Sequence, residues 1–325
     1  MIVGMTYDLR QDYLDAGFSE EQTAEFDRPS TIDAIEQALT RLGHQTRRIG
    51  HVRSLVQKLA AGERWDLVFN VCEGMFGTGR EAQVPALLDA YQIPYTFSGP
   101  LILALTLDKA MTKRVVRTMG VPTPDFAVVT TPADIAAVDL PFPLFAKPLA
   151  EGTSLGIDPT SKIDTQADLA VVCRKLLEKF KQPVLVETFL SGREFTVGMV
   201  GSGAAAEAIG TMEVILKPGA QANAYSYVNK ENSEELMSYF VPPADLDASC
   251  RELALKAWRG LGCLDAGRVD LKMDGNGAVN FLEVNPLAGL HPEHSDLPII
   301  CGLVGISFQT LMERIMASAI ARIRS

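Results

Sequence analysis

The sequence lacks the close cysteine pairs that metal sites and redox motifs use. Its five cysteines, at positions 72, 173, 250, 263 and 301, are scattered along the chain. An odd and scattered set predicts reduced thiols that serve mainly as small core residues. The N-terminal residues MIVGMTYD also lack a basic segment followed by an apolar run, which predicts that there is no signal peptide. These absences predict a cytoplasmic protein that needs no disulfide framework.

Basic residues and long apolar runs are also scarce. The chain has 30 Lys and Arg against 40 Asp and Glu, and its formal net charge is −10 at pH 7. General nucleic-acid binders usually present a basic surface, so this balance predicts no nucleic-acid partner, although one local basic patch suffices for a nucleotide. The most apolar late stretch, LPIICGLVGISF, is too short and too rich in glycine to cross a bilayer, so we expect no membrane partner.

The first third of the chain alternates strand patterns with helix patterns. In order, they predict a strand at 2–5, a helix at 30–42, a buried strand at 66–71, a helix near 81–91 and a strand near 93–97. Such alternation is typical of a parallel sheet that binds ligands at the carboxyl ends of its strands. We therefore predict an α/β fold in which residues 1–103 form an N-terminal Rossmann-like domain.

The pattern changes after residue 103. The segments LFAKPL, VLVETFL and EFTVGMVG predict strands. A helix near 247–261 leads into two further strands, and the chain ends in an amphipathic helix. Residues 217–243 are polar and show neither period. They predict a loop of about 25 residues, a length that is typical of functional lids or of disordered segments.

Two alternating strands flank DGNG in the segment GRVDLKMDGNGAVNFLEVNP and predict a β-hairpin. With a two-residue turn at the Asn-Gly dipeptide, Asp270 lies opposite Glu283 and Arg268 lies opposite Asn285. The period of two places these four side chains on one face of the sheet. The intervening apolar residues are expected on the other, buried face: Val269, Leu271, Leu282 and Val284.

The opposed carboxylates of Asp270 and Glu283 repel each other, because like charges directly opposite destabilise a strand pair. A bound cation, protonation of one carboxylate, or exposure of both to solvent would each relieve the repulsion. The oxygens of Asp270, Glu283 and Asn285 are ligands of the kind that Mg²⁺ takes. The hairpin alone leaves metal binding and a solvated polar face equally open.

The stretch FAKPLAEGTSLGI places Lys147 at the end of an apolar strand, with a glycine loop after it. A P-loop has the reverse order, with the lysine after the glycines. From Gly152 to Gly156 the loop offers backbone N–H groups and the hydroxyls of Thr153 and Ser154 to phosphate oxygens, as a flap. Taken alone, Lys147 is more typical of a surface lysine whose charged end reaches water.

Other charged residues are further candidates for a phosphate or nucleotide site. Lys109 and Lys230 are weaker phosphate partners than Lys147. Glu187 and Glu194 flank a turn after a predicted strand, where surface glutamates are the more usual interpretation. Together, lysines from a middle segment and carboxylates from a late hairpin are an arrangement that can clamp a triphosphate and Mg²⁺ between two β-rich lobes.

The sequence resembles the D-alanine–D-alanine ligase family of the ATP-grasp superfamily from about residue 66 onward. The resemblance rests on segments in family order and spacing: IPYTFSGPLILALTLDKAMTK, FPLFAKPLAEGTSLGI, VLVETFLSGREFTVGMVG and GRVDLKM…FLEVNP. It implies an ATP-grasp architecture in which an N-terminal parallel-sheet substrate domain (1–103) precedes two α+β lobes that clamp ATP. The central lobe (104–192) would carry the glycine flap, and the C-terminal lobe (193–325) the lid loop and the Mg²⁺ site.

The resemblance implies that one set of residues binds ATP. The phosphates would be held by three lysines: Lys109, Lys147 and the lid residue Lys230. The flap residues Thr153 and Ser154 would close over them. Glu187 and the Leu190 backbone are implied to contact adenine, and Glu194 to contact ribose.

A second set of residues is implied in the chemistry. The ligands of Mg²⁺, with Mn²⁺ as the alternative metal, would be Asp270, Glu283 and Asn285. Arg268 would stabilise the reacting phosphate and the tetrahedral centre, Gly289 would offer a backbone N–H to the oxyanion, and Ser295 would bind the carboxylate of the second amino acid. The implied activity is ADP-forming ligation of two small amino acids through an acylphosphate, in a homodimer.

Departures from the family pattern concentrate where the amino-acid substrates would bind. Residues 6–29 form a longer acidic run, CEGMFGTGRE replaces the usual HGxxGEDG, and one residue is inserted before His294 in NPLAGLHPEHSDLP. Glu231 takes the place of the lid tyrosine. D-Alanine is the leading candidate substrate. A ligase of the same chemistry acting on other amino acids, a non-catalytic ATP-binding homologue and an ATP-dependent kinase stay open as alternatives.

Overall fold

Three β-sheets organise residues 1–218 and 236–323, which are the residues that the computed structural model describes. The strands are β1 Ile2–Tyr7, β2 Gln45–Gly50, β3 Leu67–Val71, β4 Phe126–Val129, β5 Leu144–Pro148, β6 Lys162–Ile163, β7 Val184–Thr188, β8 Glu194–Val200, β9 Glu207–Leu216, β10 Met237–Phe240, β11 Ala266–Met273 and β12 Val279–Asn285. The α-helices are α1 Arg10–Asp15, α2 Pro29–Arg41, α3 Val52–Ala60, α4 Gln83–Ala90, α5 Pro100–Leu107, α6 Lys109–Thr118, α7 Gln166–Phe180, α8 Ala244–Leu261, α9 Asp296–Leu303 and α10 Phe308–Ile323. This mixture of helix and sheet confirms the predicted α/β class.

The first sheet is parallel and has the order β2-β1-β3. Strand β3 is buried along its whole length, which explains why its sequence, LVFNV, shows no regular polar alternation. The predicted helices at 30–42 and 81–91 form as α2 and, after a 3₁₀ turn, as α4. Because Tyr7 pairs with Val71, the loops that follow β1 and β3 start side by side at the carboxyl edge of the sheet.

The strand predicted near 93–97 does not form. An isolated bridge joins Tyr95 to Val68, and the Thr96 N–H donates to the Val68 carbonyl at 2.9 Å. Phe97 then adopts a φ of +71°, which takes the chain out of the extended conformation. The backbone therefore turns away after one bridge.

The other two sheets are antiparallel. The four-stranded sheet has the order β4-β7-β5-β6, and the five-stranded sheet has the order β10-β9-β8-β11-β12. Lys147 lies on β5, opposite Leu185 of β7. The hairpin strands β11 and β12 lie at one edge of the larger sheet, where β11 also pairs with β8. The domain boundaries after residues 103 and 192 stay predictions.

Part of the segment 217–243, which was predicted to be a loop, is a strand. β10 pairs antiparallel with the end of β9. It is a short edge strand and Phe240 is 52% exposed, so it lacks the buried alternation by which a strand is recognised in a sequence. The predicted lid residues Lys230 and Glu231 lie outside the described residues.

One apolar cluster joins the N-terminal sheet to the C-terminal helices. Phe69 on β3 belongs to the same cluster as Leu297 on α9 and Met312 on α10. A second cluster surrounds Trp258 on α8.

Within residues 1–218 and 236–323 no single helix has the length and apolarity needed to span a membrane. The pair α9 and α10, which is bent by 113°, meets those two criteria only when both helices are taken together.

Candidate active site

Strands β11 and β12 carry the predicted acidic pair. Asp270 lies directly opposite Glu283, and Arg268 lies directly opposite Asn285, which confirms the predicted pairing. The Asn285 amide donates to Asp270 Oδ2 at 3.4 Å, and the Thr196 hydroxyl donates to Asp270 Oδ1 at 3.0 Å. Two facing carboxylates and a neighbouring amide form an all-oxygen donor set that fits Mg²⁺.

The hairpin reaches this register by a route that differs from the predicted one. Its turn contains three residues rather than two, since the Asp274 N–H donates to the Ala278 carbonyl at 2.9 Å. A β-bulge next to Asp270 absorbs the extra residue and restores the pairing. The bulge buries Phe281 and turns Leu282 towards a cleft beside the acidic pair. The prediction that Leu282 lies on the buried face is therefore wrong.

Leu282 belongs to a space of about 80 Å³, which we call the narrow cleft. Its apolar wall includes Phe145 on β5 and Phe189 after β7, whose ring centroids lie 6.3 Å apart. The sequence gives no sign of these two rings, because aromatic residues on strands are equally typical of a core. The predicted residues that line the narrow cleft are Lys147, Ser154, Glu187, Leu190, Glu194, Arg268, Asp270 and Glu283.

Lys147 and Glu187 are buried on adjacent strands. Glu187 Oε1 lies 3.2 Å from Lys147 Nζ, and Glu187 Oε2 lies 2.9 Å from Lys113 Nζ. Glu187 is 3% exposed and Lys147 is 6% exposed, so neither is the surface residue that its isolated motif suggested. Burial alone would raise the pKa of Glu187, but the two lysines hold it below its ordinary value. The sequence motifs did not indicate Lys113 as a site residue. Burial lowers its pKa to about 8, although the negative charge of Glu187 acts in the opposite direction.

The other carboxylates of the narrow cleft also have cations nearby. Glu194 forms an ion pair with Lys272 at 2.7 Å. Glu283 lies 3.6 Å from Lys109 Nζ and 3.8 Å from Lys147 Nζ. The two lysines predicted to bind phosphate therefore converge on one of the predicted metal ligands.

Arg268 connects the acidic pair to the helix that follows it. Its guanidinium forms an ion pair with Asp270, and its Nε lies 3.5 Å from Asp296 at the start of α9. Although burial opposes the charged form, the surrounding carboxylates raise the pKa of Arg268, so the guanidinium stays charged. Arg268 is thus a fixed cation at the centre of the site.

The flap lies where the narrow cleft meets a second, wider space. Thr153 lines the wider space and Ser154 lines the narrow cleft. Their φ angles of +46° and +56° fall in the left-handed region, which residues with a side chain seldom adopt. An added Cβ at Gly152 would collide with the Glu25 carboxylate, which would have to move away from the flap. Backbone strain of this kind is typical of functional sites.

The wider space, which we call the wide cavity, has a volume of about 450 Å³. It begins at Arg268 and Glu283, which line both spaces. Ser295 Oγ accepts a hydrogen bond from the His291 N–H at 2.9 Å. Gly289 packs so closely on this hydroxyl that an added Cβ would lie 2.8 Å from it. The loop after β12 therefore brings Gly289 and Ser295 together on one wall of the wide cavity.

Another wall of the wide cavity carries carboxylates that were not predicted as site residues. Glu25 and Asp27 come from the segment before α2, Glu73 and Glu81 from the loop after β3, and Glu151 from the start of the flap. We call these five residues the acid wall. The acidic run and the altered loop were visible in the sequence, but only the tertiary structure shows which of their carboxylates face the cavity.

Asp8 at the end of β1 anchors the loop after β3. It is 1% exposed and accepts hydrogen bonds from the Tyr13 hydroxyl at 2.5 Å, the Cys72 thiol at 3.0 Å and the Gly74 N–H at 2.8 Å. Burial also raises the pKa of Cys72, which is a buried and unreactive thiol in this environment. All five cysteines are buried and unpaired, which confirms that they are small core residues.

Arg80 joins the acid wall to the flap. Its guanidinium forms an ion pair with Glu25 at 2.8 Å and donates to the Ala150 carbonyl at 2.9 Å. The N-terminal segment, the loop after β3 and the base of the flap are therefore held together by one buried cation.

Comparison with known proteins identifies the family. The model of the family described as D-ala D-ala ligase C-terminus matches residues 115–317, which is more than half of the chain. The chain belongs to the D-alanine–D-alanine ligase family. The D-alanine–D-alanine ligases of Bordetella petrii and Bordetella pertussis are 35% and 37% identical to it over 278 residues. These alignments cover 84% of this chain and 81% and 84% of the two relatives.

Solved ligases of the family share the fold along the whole chain. The D-alanine–D-alanine ligase from Bacillus anthracis, in complex with ATP, matches with a TM-score of 0.72 at 21% identity over 100% of this chain and 98% of that chain. The VanG D-Ala:D-Ser ligase from Enterococcus faecalis matches with a TM-score of 0.74 at 19% identity over 98% and 99% of the two chains. These matches confirm the predicted ATP-grasp architecture. Because the two ligases are named for different second amino acids, the fold alone does not set the substrate.

Proposed function

We propose that this protein is an ATP-dependent, ADP-forming ligase that joins the carboxylate of one small amino acid to the amine of another through an acylphosphate. The observation that carries the proposal is that Arg268 and Glu283 line both the narrow cleft and the wide cavity. A phosphoryl donor in the cleft and a carboxylate in the cavity would therefore meet beside the same fixed cation. D-Alanine is the leading candidate for both substrates, because relatives of 35–37% identity are named D-alanine–D-alanine ligases.

The narrow cleft suits the nucleoside end of ATP. The apolar wall of Phe145, Phe189 and Leu282 offers flat contacts to a base, while Glu187 and the Leu190 backbone would meet its polar edge and Glu194 the ribose. The cleft volume of about 80 Å³ is smaller than the roughly 300 Å³ of typical ligand pockets. We therefore expect the flap to move outward when the nucleotide enters.

The phosphate end would lie at the acidic pair. Asp270, Glu283 and Asn285 fit Mg²⁺, with Mn²⁺ as the alternative, and Lys109 and Lys147 stand close enough to Glu283 to hold phosphate oxygens. A metal ion held by these residues would neutralise the charge that builds up during phosphoryl transfer. The lid role of Lys230 stays a prediction, as do the homodimer and the cytoplasmic location.

The first step would join the donor carboxylate to the γ-phosphorus. A carboxylate oxygen forms the new bond while the bond from the phosphorus to ADP breaks. Arg268 stabilises the oxygens of the transferred group, which carry the developing charge. The flap residues Thr153 and Ser154 close the space above and keep water away from the acylphosphate.

The second step would form the peptide bond. The amine of the second amino acid attacks the acyl carbon, and the Gly289 N–H donates to the oxyanion of the tetrahedral intermediate. Phosphate then leaves with the C–O bonding pair, and the nitrogen loses a proton. The Ser295 hydroxyl, on the same loop, would hold the carboxylate of this second amino acid.

The direct test is ADP release with D-alanine in the presence of Mg²⁺, with the product identified by mass. We expect D-alanyl-D-alanine. Turnover only with another pair of amino acids would reassign the substrates and keep the chemistry. ADP release that needs no amine would identify a kinase. No ADP release with any amino acid, from a protein shown to be folded and to bind ATP, would overturn the proposal in favour of a non-catalytic homologue.

A further inference from the structure

The base of the flap is held by side chains that lie far from it in the chain. Directly after β5, the Ala150 carbonyl accepts a hydrogen bond from Arg80 at 2.9 Å, and the Glu151 carbonyl accepts one from Lys109 at 2.5 Å. The Ala150 N–H donates to the Gln182 side chain at 2.8 Å. Both polar backbone groups of Ala150 are therefore satisfied by contacts from outside the flap.

The flap needs this support because its own backbone is strained. Thr153 and Ser154 both have φ angles in the left-handed region, a strain that persists only where surrounding contacts over-determine it. Inside the flap, tight turns join the Leu155 N–H to the Gly152 carbonyl at 2.9 Å and the Ile157 N–H to the Ser154 carbonyl at 3.1 Å. Such turns shape the flap, but they do not set its position over the two spaces. The contacts at its base set that position.

Arg80 is a rigid and charged support. It is buried, and while one amino group of its guanidinium donates to Ala150, the other pairs with Glu25 at 2.8 Å. Glu25 in turn packs against Gly152, so Arg80 meets the flap at two points. Although burial opposes the charged form, the surrounding carboxylates raise the pKa of Arg80 above its ordinary value, so the guanidinium stays charged. Gly74 fixes the backbone behind it, since an added Cβ would lie 2.6 Å from the Arg80 carbonyl oxygen.

Arg80 is also the support that persists when substrates bind. Lys109 Nζ lies 3.6 Å from Glu283, so phosphate oxygens bound there would attract it away from the Glu151 carbonyl. Arg80 is not among the residues that line the narrow cleft or the wide cavity. A substrate in either space therefore does not compete for its hydrogen bonds.

Both parts of this support come from segments in which the sequence departs from the family pattern. Glu25 lies within 6–29 and Arg80 within 72–81. The first segment makes a further bridge to the region after the flap, where Glu21 pairs with Lys179 of α7 at 2.5 Å. That pair is at the surface and contributes little stability. The buried Arg80 therefore dominates the connection between the altered segments and the flap.

We propose that Arg80 is a positioning residue that holds the base of the flap, so that the flap stays closed where the narrow cleft meets the wide cavity. It acts through the Ala150 carbonyl and through Glu25, and it contacts no reacting atom. This inference rests on the proposed ligase function, in which the closed flap keeps water from the acylphosphate. The altered segments then serve to hold the flap.

The first test counts ADP and dipeptide in the same reaction, because their ratio does not depend on how much of the protein is folded. With D-alanine and Mg²⁺, the wild type should release one ADP for each dipeptide. Arg80→Met should release more, because water that passes the loosened flap attacks the acylphosphate and gives back the free amino acid and phosphate. The double variant Glu25→Gln/Arg80→Met should show the same excess of ADP, without leaving a buried carboxylate unpaired.

Arg117→Met is the matched control. Arg117 also combines an ion pair with a hydrogen bond to a carbonyl, those of Asp125 at 2.7 Å and Pro124 at 2.9 Å, and it lies outside both spaces. This variant should keep one ADP for each dipeptide. A ratio of one in Arg80→Met and in the double variant, at whatever rate they turn over, would overturn the inference and leave the ligase function in place.

Hydrogen exchange of the flap separates this inference from the proposed function, because it needs no turnover. In the nucleotide-free protein, the amides of 150–157 should exchange about tenfold faster or more in Arg80→Met than in the wild type or in Arg117→Met, the effect of losing one hydrogen bond to a charged group. Faster exchange in a protein that releases no ADP would support the role of Arg80 in the flap and overturn ligation. Unchanged exchange would overturn that role, and together with absent ADP release it would overturn both proposals.

Discussion

The narrow cleft and the wide cavity are both rich in carboxylates, but they treat the charge differently. In the cleft, Glu187 lies between Lys113 and Lys147, and Glu194 pairs with Lys272. In the wide cavity, Arg80 pairs with Glu25, but burial raises the pKa of Glu81 to about 7 and outweighs the effect of the nearby Arg80 and Lys109. Moving a charged group from water into the protein interior costs several kcal/mol unless an opposite charge and hydrogen bonds offset the lost hydration. The cleft therefore stabilises the charged form of Glu187 through two buried lysines, whereas burial in the wide cavity favours the neutral form of Glu81.

Asp270→Asn tests the narrow cleft where it borders the wide cavity. Of the three substitutions, we expect it to cause the largest loss of function. The substitution removes a carboxylate that faces Glu283 and pairs with Arg268. We expect kcat to fall by at least about 10²–10³-fold, the typical effect of losing one stabilising group. In the free energy of unfolding, the lost ion pair with Arg268 and the relieved repulsion from Glu283 act in opposite directions. Asp274→Asn, in the turn of the same hairpin, is the control and should keep full activity. Near-normal turnover of the Asp270 variant would remove Asp270 from the metal site.

Lys113→Met tests whether the cleft depends on internal charge pairing. Lys113 is fully buried, and its loss leaves Glu187 with Lys147 as its remaining ion-pair partner. Breaking a buried ion pair typically costs about 3–5 kcal/mol, so we expect the free energy of unfolding in urea to fall by that order. Lys58→Met, at a half-buried surface pair, should change it by about 1 kcal/mol or less. If Lys113→Met and Lys58→Met lowered the free energy of unfolding by similar amounts, the buried pair would not be a stabilising element.

Glu81→Gln tests the opposite expectation for the wide cavity and should have the smallest effect of the three. Burial raises the pKa of Glu81 from about 4.5 to about 7, so its neutral form is the one that the fold favours. The stability it contributes is fully present below about pH 4.5 and is lost as the pH rises through about 7. The variant should match the wild type near pH 4.5 and be more stable at pH 8, by on the order of 2 kcal/mol. A difference that does not grow with pH would show that Glu81 is already compensated.

The sequence predicted the acidic pair well because a hairpin is a local structure. Alternation and an Asn-Gly turn placed Asp270 opposite Glu283, and the structure has the same pairing. The turn and the bulge were both missed, and their one-residue shifts cancel at the site. The cancellation does not extend to Leu282, which faces the narrow cleft instead of the core. Bulges depend on how neighbouring strands pack, which a local pattern does not contain.

Residues that act through long-range burial were not predictable in the same way. Lys113 reads as an ordinary helical lysine of α6, yet it is fully buried against Glu187 of β7. Glu25 reads as one acid in a polar run, yet it fills the space beside Gly152. In both cases the function of a side chain depends on a partner far away in the chain.

The sequence by itself determined the α/β class, the family resemblance and the chemical types of the nucleotide and metal residues, because motifs and strand periodicity are written in neighbouring positions. Only the tertiary structure decided which carboxylates have cations beside them. The charge state of a buried group depends on desolvation and on charges within a few ångströms. Those neighbours come from the loop after β3, helix α6, strand β5 and the C-terminal hairpin, which become adjacent only when the chain has folded.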